Sequence, residues 1–301
     1  MPQTFYSNGK LLITGEYLVL DGAKALALPA KFGQNLVADE SSGKAIQWKS
    51  FDNDASIWFE DLISFTDIIE KAVFGNPIKD TLIEILHEAH KLNPEFLESK
   101  GYSITTALTF PKLWGLGTSS TLISNIAQWL KIDAFELLRN SFGGSGYDIA
   151  CAQNDTPIVY ALENGNPIVE TVRFNPEFSE RLYFVYLNKK QSSKSAIASY
   201  KSNRKNLEAV IPMVNAITES ILKTDDFAFF CSQLEKHENL LGEILQMPTV
   251  KENLFADFRG TVKSLGAWGG DFILAAAEED PTAYFSAKGF ETVIPFSQMI
   301  L

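Results

Sequence analysis

Short apolar runs separated by turn residues open the chain. They cover residues 11–14, 17–20 and 25–28, and Gly15 and Pro29 stand among the residues that interrupt them. Runs of this length bounded by glycine and proline are typical of buried strands. The first thirty residues are therefore predicted to be mostly β-structure.

The apolar period then changes from that of a strand to that of a helix. Apolar residues recur every three or four positions between Thr81 and Leu92 and again from Leu122 to Leu130, which predicts two amphipathic helices. Further on, runs at 157–162 and 167–172 flank Asn164-Gly165-Asn166, the pattern of a β-hairpin.

The second half of the chain alternates strand and helix patterns. The predicted elements are a strand at 182–187, helices around 205–222 and 226–246 with Pro212 near a helix start or at a kink, a strand at 272–277, a helix from Asp280-Pro281 to Gly289, and a strand at 290–296. This order favours an α+β architecture of two halves that meet near residue 175, giving domains 1–175 and 176–301.

Composition narrows the class of partner. The 301 residues are 46% hydrophobic and 21% charged, as in a globular protein, and 26 Lys and Arg against 37 Asp and Glu give a net charge of −11. Such a charge repels a nucleic-acid backbone, although backbone N–H groups and a few lysines can still bind small phosphorylated molecules. Two cysteines exclude a disulfide scaffold. Without a recognisable signal or membrane segment, a cytoplasmic location is expected.

A glycine loop carries the clearest chemical signal. Gly115-Leu116-Gly117 and the hydroxyl residues Thr118, Ser119 and Ser120 run directly into the helical pattern from Leu122. Glycines allow a tight bend, and the N–H groups and dipole at a helix start attract anions. The stretch predicts a phosphate site in which Ser119 or Ser120 offers a hydroxyl to phosphate or Mg²⁺. An ordinary capped helix after a glycine turn is the alternative.

The loop is not a Walker A motif, and the chain has no GxGxxG fingerprint and no HRD and DFG pair, so P-loop and protein-kinase mechanisms are excluded. With Pro111, Gly115-Leu116-Gly117 and Ser119-Ser120 in register, it resembles the P-x-x-x-G-L-G-S-S-A-A loop of the GHMP kinases, which include galactokinase, homoserine kinase, mevalonate kinase and phosphomevalonate kinase.

Two companion motifs strengthen this resemblance. Residues 9–20 are similar to the family opening P-G-K-[VL]-x-L-x-G-E-[HY]-x-V-[VL], and residues 263–271 are similar to the third motif, K-x-[ST]-G-A-G-x-G-G. The motifs occur in the family order and span residues 9–271, so the resemblance covers nearly the whole chain. The resemblance implies a two-lobed GHMP kinase fold, with an N-terminal half of the ribosomal protein S5 domain 2 type and a ferredoxin-like C-terminal half.

The resemblance also implies ATP- and Mg²⁺-dependent phosphoryl transfer to a small-molecule acceptor. Gly144-Ser145-Gly146-Tyr147-Asp148 looks like the S-G-x-D segment that supplies a catalytic aspartate, and Asp148 with Lys10 would then prepare the acceptor oxygen. The alternatives are a loop or helix-cap aspartate and a solvated lysine at a strand end.

The acceptor is expected to resemble mevalonate. By resemblance Glu16, Tyr17, Gly266, Gly269 and Gly270 face it, and the Gly-Glu-Tyr and Gly-Gly-Asp sequences are similar to those of phosphomevalonate kinases. Mevalonate and phosphomevalonate both remain candidates. The alternative for Glu16 is an internal ion pair, and for Tyr17 a place in the core.

For Mg²⁺, the expected ligands are Ser120 and Glu136, although Glu136 lies one residue away from the family spacing and suits a solvated helix surface equally well. The basic loop 189–195 would attract anions or form only a solvated turn. The three histidines lie among Glu and Lys in helical patterns, which favours surface positions.

Some residues depart from the family pattern. Asn8 replaces a proline, Thr118 and Thr121 replace small residues, and Trp268 replaces a glycine, where its bulk would narrow the phosphate end of the cleft or close over the acceptor. Two rival functions stay open: an ATP-using diphosphomevalonate decarboxylase, and a non-catalytic protein that senses a nucleotide or metabolite. A homodimer is also left open.

Overall fold

The computed structural model describes residues 1–98, 100–189, 200–202 and 207–301. The chain divides into two compact units that are interleaved in sequence. The first unit comprises Met1–Gly9, Phe32–Lys112 and Leu116–Gln153, and the second comprises Lys10–Lys31, Leu113–Gly115 and Asn154–Leu301. A domain boundary near residue 175 stays a prediction, since compact units need not coincide with the domains of a family fold.

Two strands, β1 (Gln3–Leu12) and β2 (Ala25–Ser41), contribute residues to both units and pair with each other. The other elements of the first unit are β3 (Ala45–Phe51), β4 (Ile57–Ser64), α1 (Phe65–Ile69), α2 (Pro77–Leu92), a 3₁₀ turn (Pro94–Leu97), β5 (Gly101–Leu108), α3 (Thr118–Leu130), α4 (Ala134–Ser141) and α5 (Tyr147–Ala152).

In the first unit the strands form a sheet in the order β4-β3-β5-β2. Strand β5 is antiparallel to the C-terminal part of β2, where Leu36 lies opposite Thr106, and parallel to β3, where Trp48 lies opposite Ile104. A parallel pair requires a crossover connection, and here helices α1 and α2 supply it.

One hydrophobic core fixes the helices of the first unit. Alternate residues of the sheet, including Trp48 and Ile104, are buried together with Ile123 and Ile126 from α3. Because these apolar residues of α3 are buried, its position is set by packing. The start of this helix at Thr118, directly after the glycine loop, is fixed as a consequence.

The elements of the second unit beyond β1 and β2 are 3₁₀ turns at Leu18–Asp21, Lys112–Trp114 (which begins with the last residue of the first unit) and Ser179–Arg181, strands β6 (Ile158–Glu163), β7 (Asn166–Thr171), β8 (Leu182–Tyr186), β9 (Thr261–Ser264), β10 (Phe272–Ala276) and β11 (Val293–Pro295), and helices α6 (Leu207–Lys223), α7 (Phe227–Leu245), α8 (Val250–Leu254), α9 (Thr282–Ala287) and α10 (Phe296–Met299).

An antiparallel sheet in the order β11-β8-β10-β9 organises the second unit. Its core includes Val185, Ile273 and Phe285. A second core lies where α6 and α7 pack on the 3₁₀ turn Leu18–Asp21, and it contains Val214 and Leu241. These cores support β9 and β10, which flank the third sequence motif.

The sequence predicted the regular helices and the hairpin well. The expected helices at 81–92 and 122–130 are parts of α2 and α3, and the hairpin is β6 and β7. In its turn Asn164 (φ 51°) and Gly165 (φ 78°) have the positive φ values that an Asn-Gly hairpin turn requires.

The strand predicted at 17–20 is wrong, because Leu18–Asp21 forms a 3₁₀ turn. Gly15 (φ 85°) and Tyr17 (φ 61°) have left-handed backbones, and the N–H of Val19 donates to the carbonyl of Gly15. A short apolar run buried on all sides does not reveal by its period whether it is extended or helical.

Three further predictions need adjustment. Pro212 lies inside α6, and the expected strand at 290–296 shortens to Val293–Pro295 because Phe296 begins α10. The N-cap predicted at Asp280 is wrong, because α9 begins at Thr282 and Pro281 is its N-cap. Asp280 lies one residue further out and accepts the N–H of Thr282 at 2.8 Å. Among the described residues, none of the helices has the length and hydropathy of a membrane span.

Candidate functional site

The glycine loop bends where its glycines require it. Gly115 (φ 70°) and Gly117 (φ 100°) are both left-handed, a conformation that other residues adopt only with strain. Gly117 occupies the N-cap position of α3 and has no side chain with which to cap the helix. The first N–H groups of a 13-residue helix therefore begin directly after the bend.

The hydroxyl groups after the bend differ in exposure. Ser119 is exposed and Thr118 is half-buried, whereas Ser120 is only 2% exposed. The Ser120 hydroxyl donates to the carbonyl of Gly117 at 2.8 Å. Of the two serines expected to meet phosphate or metal, Ser119 is the one accessible from solvent in this structure.

The first motif approaches the loop through Gly9. A Cβ atom placed on Gly9 would lie 2.9 Å from the carbonyl oxygen of Phe32 and 3.0 Å from that of Leu116. The first distance is shorter than real Cβ atoms adopt and the second is unusually tight, so any side chain at this position would push the neighbouring backbone away. The absence of a side chain on Gly9 lets β1 pack directly against the backbone of the glycine loop.

Lys10 and Asp271 both meet Gly115. The half-buried Lys10 directs its Nζ at the Gly115 carbonyl oxygen, 3.4 Å away. A Cβ on Gly115 would lie 2.3–2.6 Å from the carboxylate atoms of Asp271, so this carboxylate packs on the Gly115 backbone. With Trp114 and Gly266, among others, these residues line a cavity of about 10 Å³, the space of one water molecule.

Glu16 belongs to a buried cluster of charges. Its Oε1 accepts a hydrogen bond from Lys263 Nζ at 2.7 Å, and both side chains are at most 3% exposed. Lys263 Nζ also lies 3.3 Å from Glu238 Oε2. The same Oε2 accepts the backbone N–H of Ser264 at 3.1 Å, and Glu238 Oε1 accepts the Ser264 hydroxyl at 2.6 Å. The first and third motifs are thus joined by a buried ion pair.

His237 completes this cluster. Its Nε2 accepts the N–H of Gly15 at 2.9 Å and lies 3.6 Å from Glu16 Oε2. Among the described residues, neither Glu16 Oε2 nor His237 Nδ1 has a hydrogen-bond partner. The surface position predicted for His237 is wrong, since the side chain is fully buried. Its spacing on α7 between the buried Leu234 and Leu241 was a usable signal.

The cluster contains two carboxylates and one ammonium, so an additional proton would neutralise it. Burial raises the pKa of Glu16 to about 7, although the Lys263 ammonium opposes the shift. Burial, with Lys263 adding to the effect, lowers the pKa of His237 well below its usual value. Burial opposes the charge on Lys263 as well, but Glu16 and Glu238 outweigh it and raise the pKa of that lysine.

Tyr17 and Trp268 form a second link between the first and third motifs. The Trp268 N–H donates to the Tyr17 hydroxyl at 2.7 Å, and the indole Nε1 donates to the Pro248 carbonyl at 3.1 Å. Both rings are buried in the core with Leu241. Trp268 is not among the residues that line the small cavity beside Gly115. The Trp268 side chain, at the position where the family motif has glycine, packs into the core of the second unit.

The alternatives left open for Glu16 and Tyr17, an internal ion pair and a place in the core, describe their contacts in this structure. A direct contact of either residue with an acceptor stays a prediction. Gly266 (φ 70°) and Gly269 (φ 74°) supply left-handed turns in the third motif, and the Gly270 N–H donates to the Ala267 carbonyl at 3.2 Å.

Asp148 is the second residue of α5 and follows Gly146, which is left-handed (φ 90°). Its side chain is half-buried, and Oδ1 accepts the N–H of Ile149 at 3.1 Å. Glu136 is exposed in the first turn of α4. The catalytic role of Asp148 and the metal role of Glu136 stay predictions.

In the basic loop, the carbonyl oxygen of Lys189 accepts a hydrogen bond from the backbone N–H of Asp271 at 2.8 Å. Residues 190–195 of that loop lie outside the described residues. Within the part of the chain that the structure describes, no group of three His, Cys, Asp or Glu side chains is placed to hold a metal ion.

Comparison with known proteins gives matches at the level of structure. No sequence model of a known family and no curated protein sequence matches the chain. Phosphomevalonate kinase of Streptococcus pneumoniae, in complex with phosphomevalonate and AMPPNP, superimposes with a TM-score of 0.72 at 15% identity, covering 97% of this chain and 99% of that one. The mevalonate kinase of Methanococcus jannaschii gives 0.69 at 16%, covering 97% and 96%.

The galactokinase of Lactococcus lactis, complexed with galactose, gives a TM-score of 0.67 at 12% identity, covering 95% of this chain and 88% of that one. Full-length agreement with three such kinases decides the fold. This chain has the GHMP kinase fold.

The GHMP kinase fold confirms the predicted fold class, and contacts within each unit bring the three motifs together. Gly9 packs on Leu116 in the first unit, and Asp271 packs on Gly115 in the second. Sequence reasoning missed the partners of Glu16, namely Lys263 and His237, although Lys263 stands in the third motif.

Proposed function

We propose that this chain is an ATP-dependent small-molecule kinase that transfers the γ-phosphoryl group to a mevalonate-like acceptor. One observation carries the proposal: the left-handed bend at Gly115 and Gly117 leads directly into the start of α3, where no N-cap side chain occupies the helix terminus. The shared fold with phosphomevalonate and mevalonate kinases supports it.

Polyphosphate binding suits this bend for an electrostatic reason. The N–H groups of the first turn of a helix lack partners within the helix, and the dipole places partial positive charge beside them. Ser119 is exposed there and can donate its hydroxyl to a phosphate oxygen. The Lys10 ammonium, directed at the Gly115 carbonyl, adds a full positive charge to an otherwise acidic chain.

Phosphoryl transfer requires the acceptor oxygen to attack the γ-phosphorus while ADP leaves, with the hydroxyl proton passing to a base. We assign the base to Asp148, a half-buried carboxylate that is the second residue of a helix capped by Gly146. Lys10 would stabilise charge on the transferred group. Such a reaction depends mainly on positioning, which packed helix starts and strands provide.

The residues present do not form a ready-made Mg²⁺ site. The Ser120 hydroxyl is bonded to its own loop, Glu136 is exposed, and the described residues hold no three-membered group of metal ligands. Mg²⁺ commonly binds through substrate phosphates and retains several waters, so a nucleotide would have to supply most of its ligands.

The acceptor class follows from two features of the sequence. The tripeptides Gly-Glu-Tyr at 15–17 and Gly-Gly-Asp at 269–271 resemble the corresponding segments of phosphomevalonate kinases. A phosphomevalonate kinase and a mevalonate kinase are both structural neighbours of this chain. The galactokinase neighbour shows that the same fold also serves sugars. Mevalonate and phosphomevalonate are therefore the first acceptors to test.

The test measures AMPPNP binding by calorimetry, and ADP formation from ATP with a panel of mevalonate, phosphomevalonate, diphosphomevalonate, homoserine and galactose. A kinase forms ADP only with its acceptor and yields a phosphorylated product of unchanged carbon number. Carbon dioxide released from diphosphomevalonate would identify a decarboxylase instead. Tight nucleotide binding with no turnover on any acceptor would favour a sensing protein, and absence of nucleotide binding would refute the proposal.

A further inference from the structure

Asp271 has an unusual position for an acidic residue. It is the last residue of the third motif, its backbone is left-handed (φ 51°), and its N–H donates to the Lys189 carbonyl at 2.8 Å. Its carboxylate packs on the backbone of Gly115, the first glycine of the loop to which the proposed function assigns polyphosphate. None of the roles given above uses this carboxylate.

The Asp271 carboxylate fills most of the space beside Gly115. Both carboxylate oxygens and the carbon between them lie within 2.6 Å of the point where a Cβ on Gly115 would stand. The cavity that remains, shared with Lys10 and Trp114, holds about 10 Å³, enough for one water molecule and too small for a phosphate group.

A carboxylate and a phosphate are both anions with several acceptor oxygens, and both attract an ammonium group and backbone N–H donors. Two such anions cannot share one small cavity, since each loses solvation and repels the other. We propose that the Asp271 carboxylate occupies, in the free protein, space that a phosphate group of the nucleotide must enter, so that nucleotide binding displaces it.

This inference rests on the proposed function and adds a residue that sets nucleotide affinity. Displacing an anion makes binding weaker than the loop alone would allow, and it also helps a spent nucleotide to leave. Removing the charge while keeping the shape should therefore tighten the binding of a polyphosphate. The separation is a few ångströms, so a change of about five- to tenfold in Kd is expected.

Asp271→Asn is the main variant. Asparagine tolerates the left-handed backbone as well as aspartate does, so the loop should fold unchanged. Asp225→Asn is the matched control, since it removes one negative charge from an exposed position of the same unit. Calorimetry measures the Kd for AMPPNP and for inorganic triphosphate in the wild type and both variants.

The expected result is five- to tenfold tighter binding of both probes by Asp271→Asn, and a change of less than about twofold for Asp225→Asn. Unchanged or weaker binding by Asp271→Asn would overturn the inference, and weaker binding would mean that the carboxylate itself holds the nucleotide or its metal. Binding of AMPPNP by the wild type tests the proposed function separately, because the inference depends only on the ratio of the Kd values of variant and wild type.

A second test examines the contact without any ligand. Gly115→Ala places a Cβ against the Asp271 carboxylate and also strains the left-handed backbone. In an Asp271→Gly background only the backbone strain remains, so Gly115→Ala should lower the urea midpoint less there than in the wild type. Equal losses in the two backgrounds would show that the carboxylate does not occupy this space.

Discussion

Glu16→Gln is the substitution that tests the buried charge cluster most sharply. Glutamine has the same shape, and its amide oxygen can accept the Lys263 hydrogen bond that Oε1 accepts now. Its amide nitrogen would stand at the position of Oε2, which has no partner among the described residues and lies 3.6 Å from His237 Nε2. The change therefore removes a titratable group and little else.

The effect on stability depends on pH. The pKa of Glu16 is about 7 in the folded protein against an ordinary value of 4.5. The folded state thus holds a proton that the unfolded chain releases, so this contribution to stability is complete below pH 4.5 and is lost as the pH rises through 7. At about 1.4 kcal/mol per pH unit, the loss is about 3 kcal/mol.

His237 acts in the opposite direction. Its folded pKa is lowered, so it contributes stability above its ordinary pKa of 6.5 that is lost as the pH falls. Between about pH 4.5 and 6.5 the contributions of Glu16 and His237 oppose each other in the wild type. The wild-type profile alone would hide both, and only the difference between variant and wild type isolates Glu16.

Urea denaturation of both proteins at pH 5, 6, 7 and 8 gives this difference. Relative to the wild type, Glu16→Gln should gain about 2.5 kcal/mol between pH 5 and pH 8, with the gain levelling off above pH 7. Glu243→Gln, an exposed glutamate on the same helix as His237, should show no such trend. A difference that stays constant with pH would mean that Glu16 is ionised throughout, contrary to its raised pKa.

Five further substitutions have defined outcomes. Lys263→Met leaves two buried carboxylates without their ammonium and should lower the free energy of unfolding by about 3–5 kcal/mol, measured in urea at pH 8; a loss below about 1 kcal/mol would contradict the buried pair. Gly117→Ala strains a φ of 100° and should weaken AMPPNP binding, whereas Gly75→Ala, strained at a φ of 78° in an open turn, should leave binding unchanged. Ser119→Ala should weaken AMPPNP binding at unchanged stability, while Ser120→Ala should cost about 1 kcal/mol through its lost bond to Gly117; the reverse pattern would show that the loop rearranges.

Sequence patterns predicted the elements whose structure depends on residues close together in the chain. The 3.6-residue apolar period found α2 and α3, since each helix buries one continuous stripe, and Asn164-Gly165 found the hairpin because its turn demands positive φ. The turn at Leu18–Asp21 escaped prediction, because its apolar residues are buried from several directions by elements distant in sequence.

In the candidate site, too, features of adjacent residues were predicted and contacts between distant residues were not. Motif resemblance found the glycine loop, whose bend is a property of a few adjacent residues. It did not find the pairing of Glu16 with Lys263, which lie 247 positions apart, or the packing of Asp271 on Gly115. Such contacts depend on the packing of whole elements, and no spacing along the chain records them.

In the proposed reaction the γ-phosphoryl group of ATP passes to an acceptor hydroxyl with Asp148 as the base. The direct measurement follows ATP labelled in its γ-phosphate, with wild type and Asp148→Asn, in the presence of the active acceptor. We expect equal amounts of ADP and labelled acceptor from the wild type, and transfer slower by about 10²–10⁴-fold in the variant at unchanged AMPPNP affinity. Transfer by Asp148→Asn at the wild-type rate, or label released only as free phosphate, would contradict it.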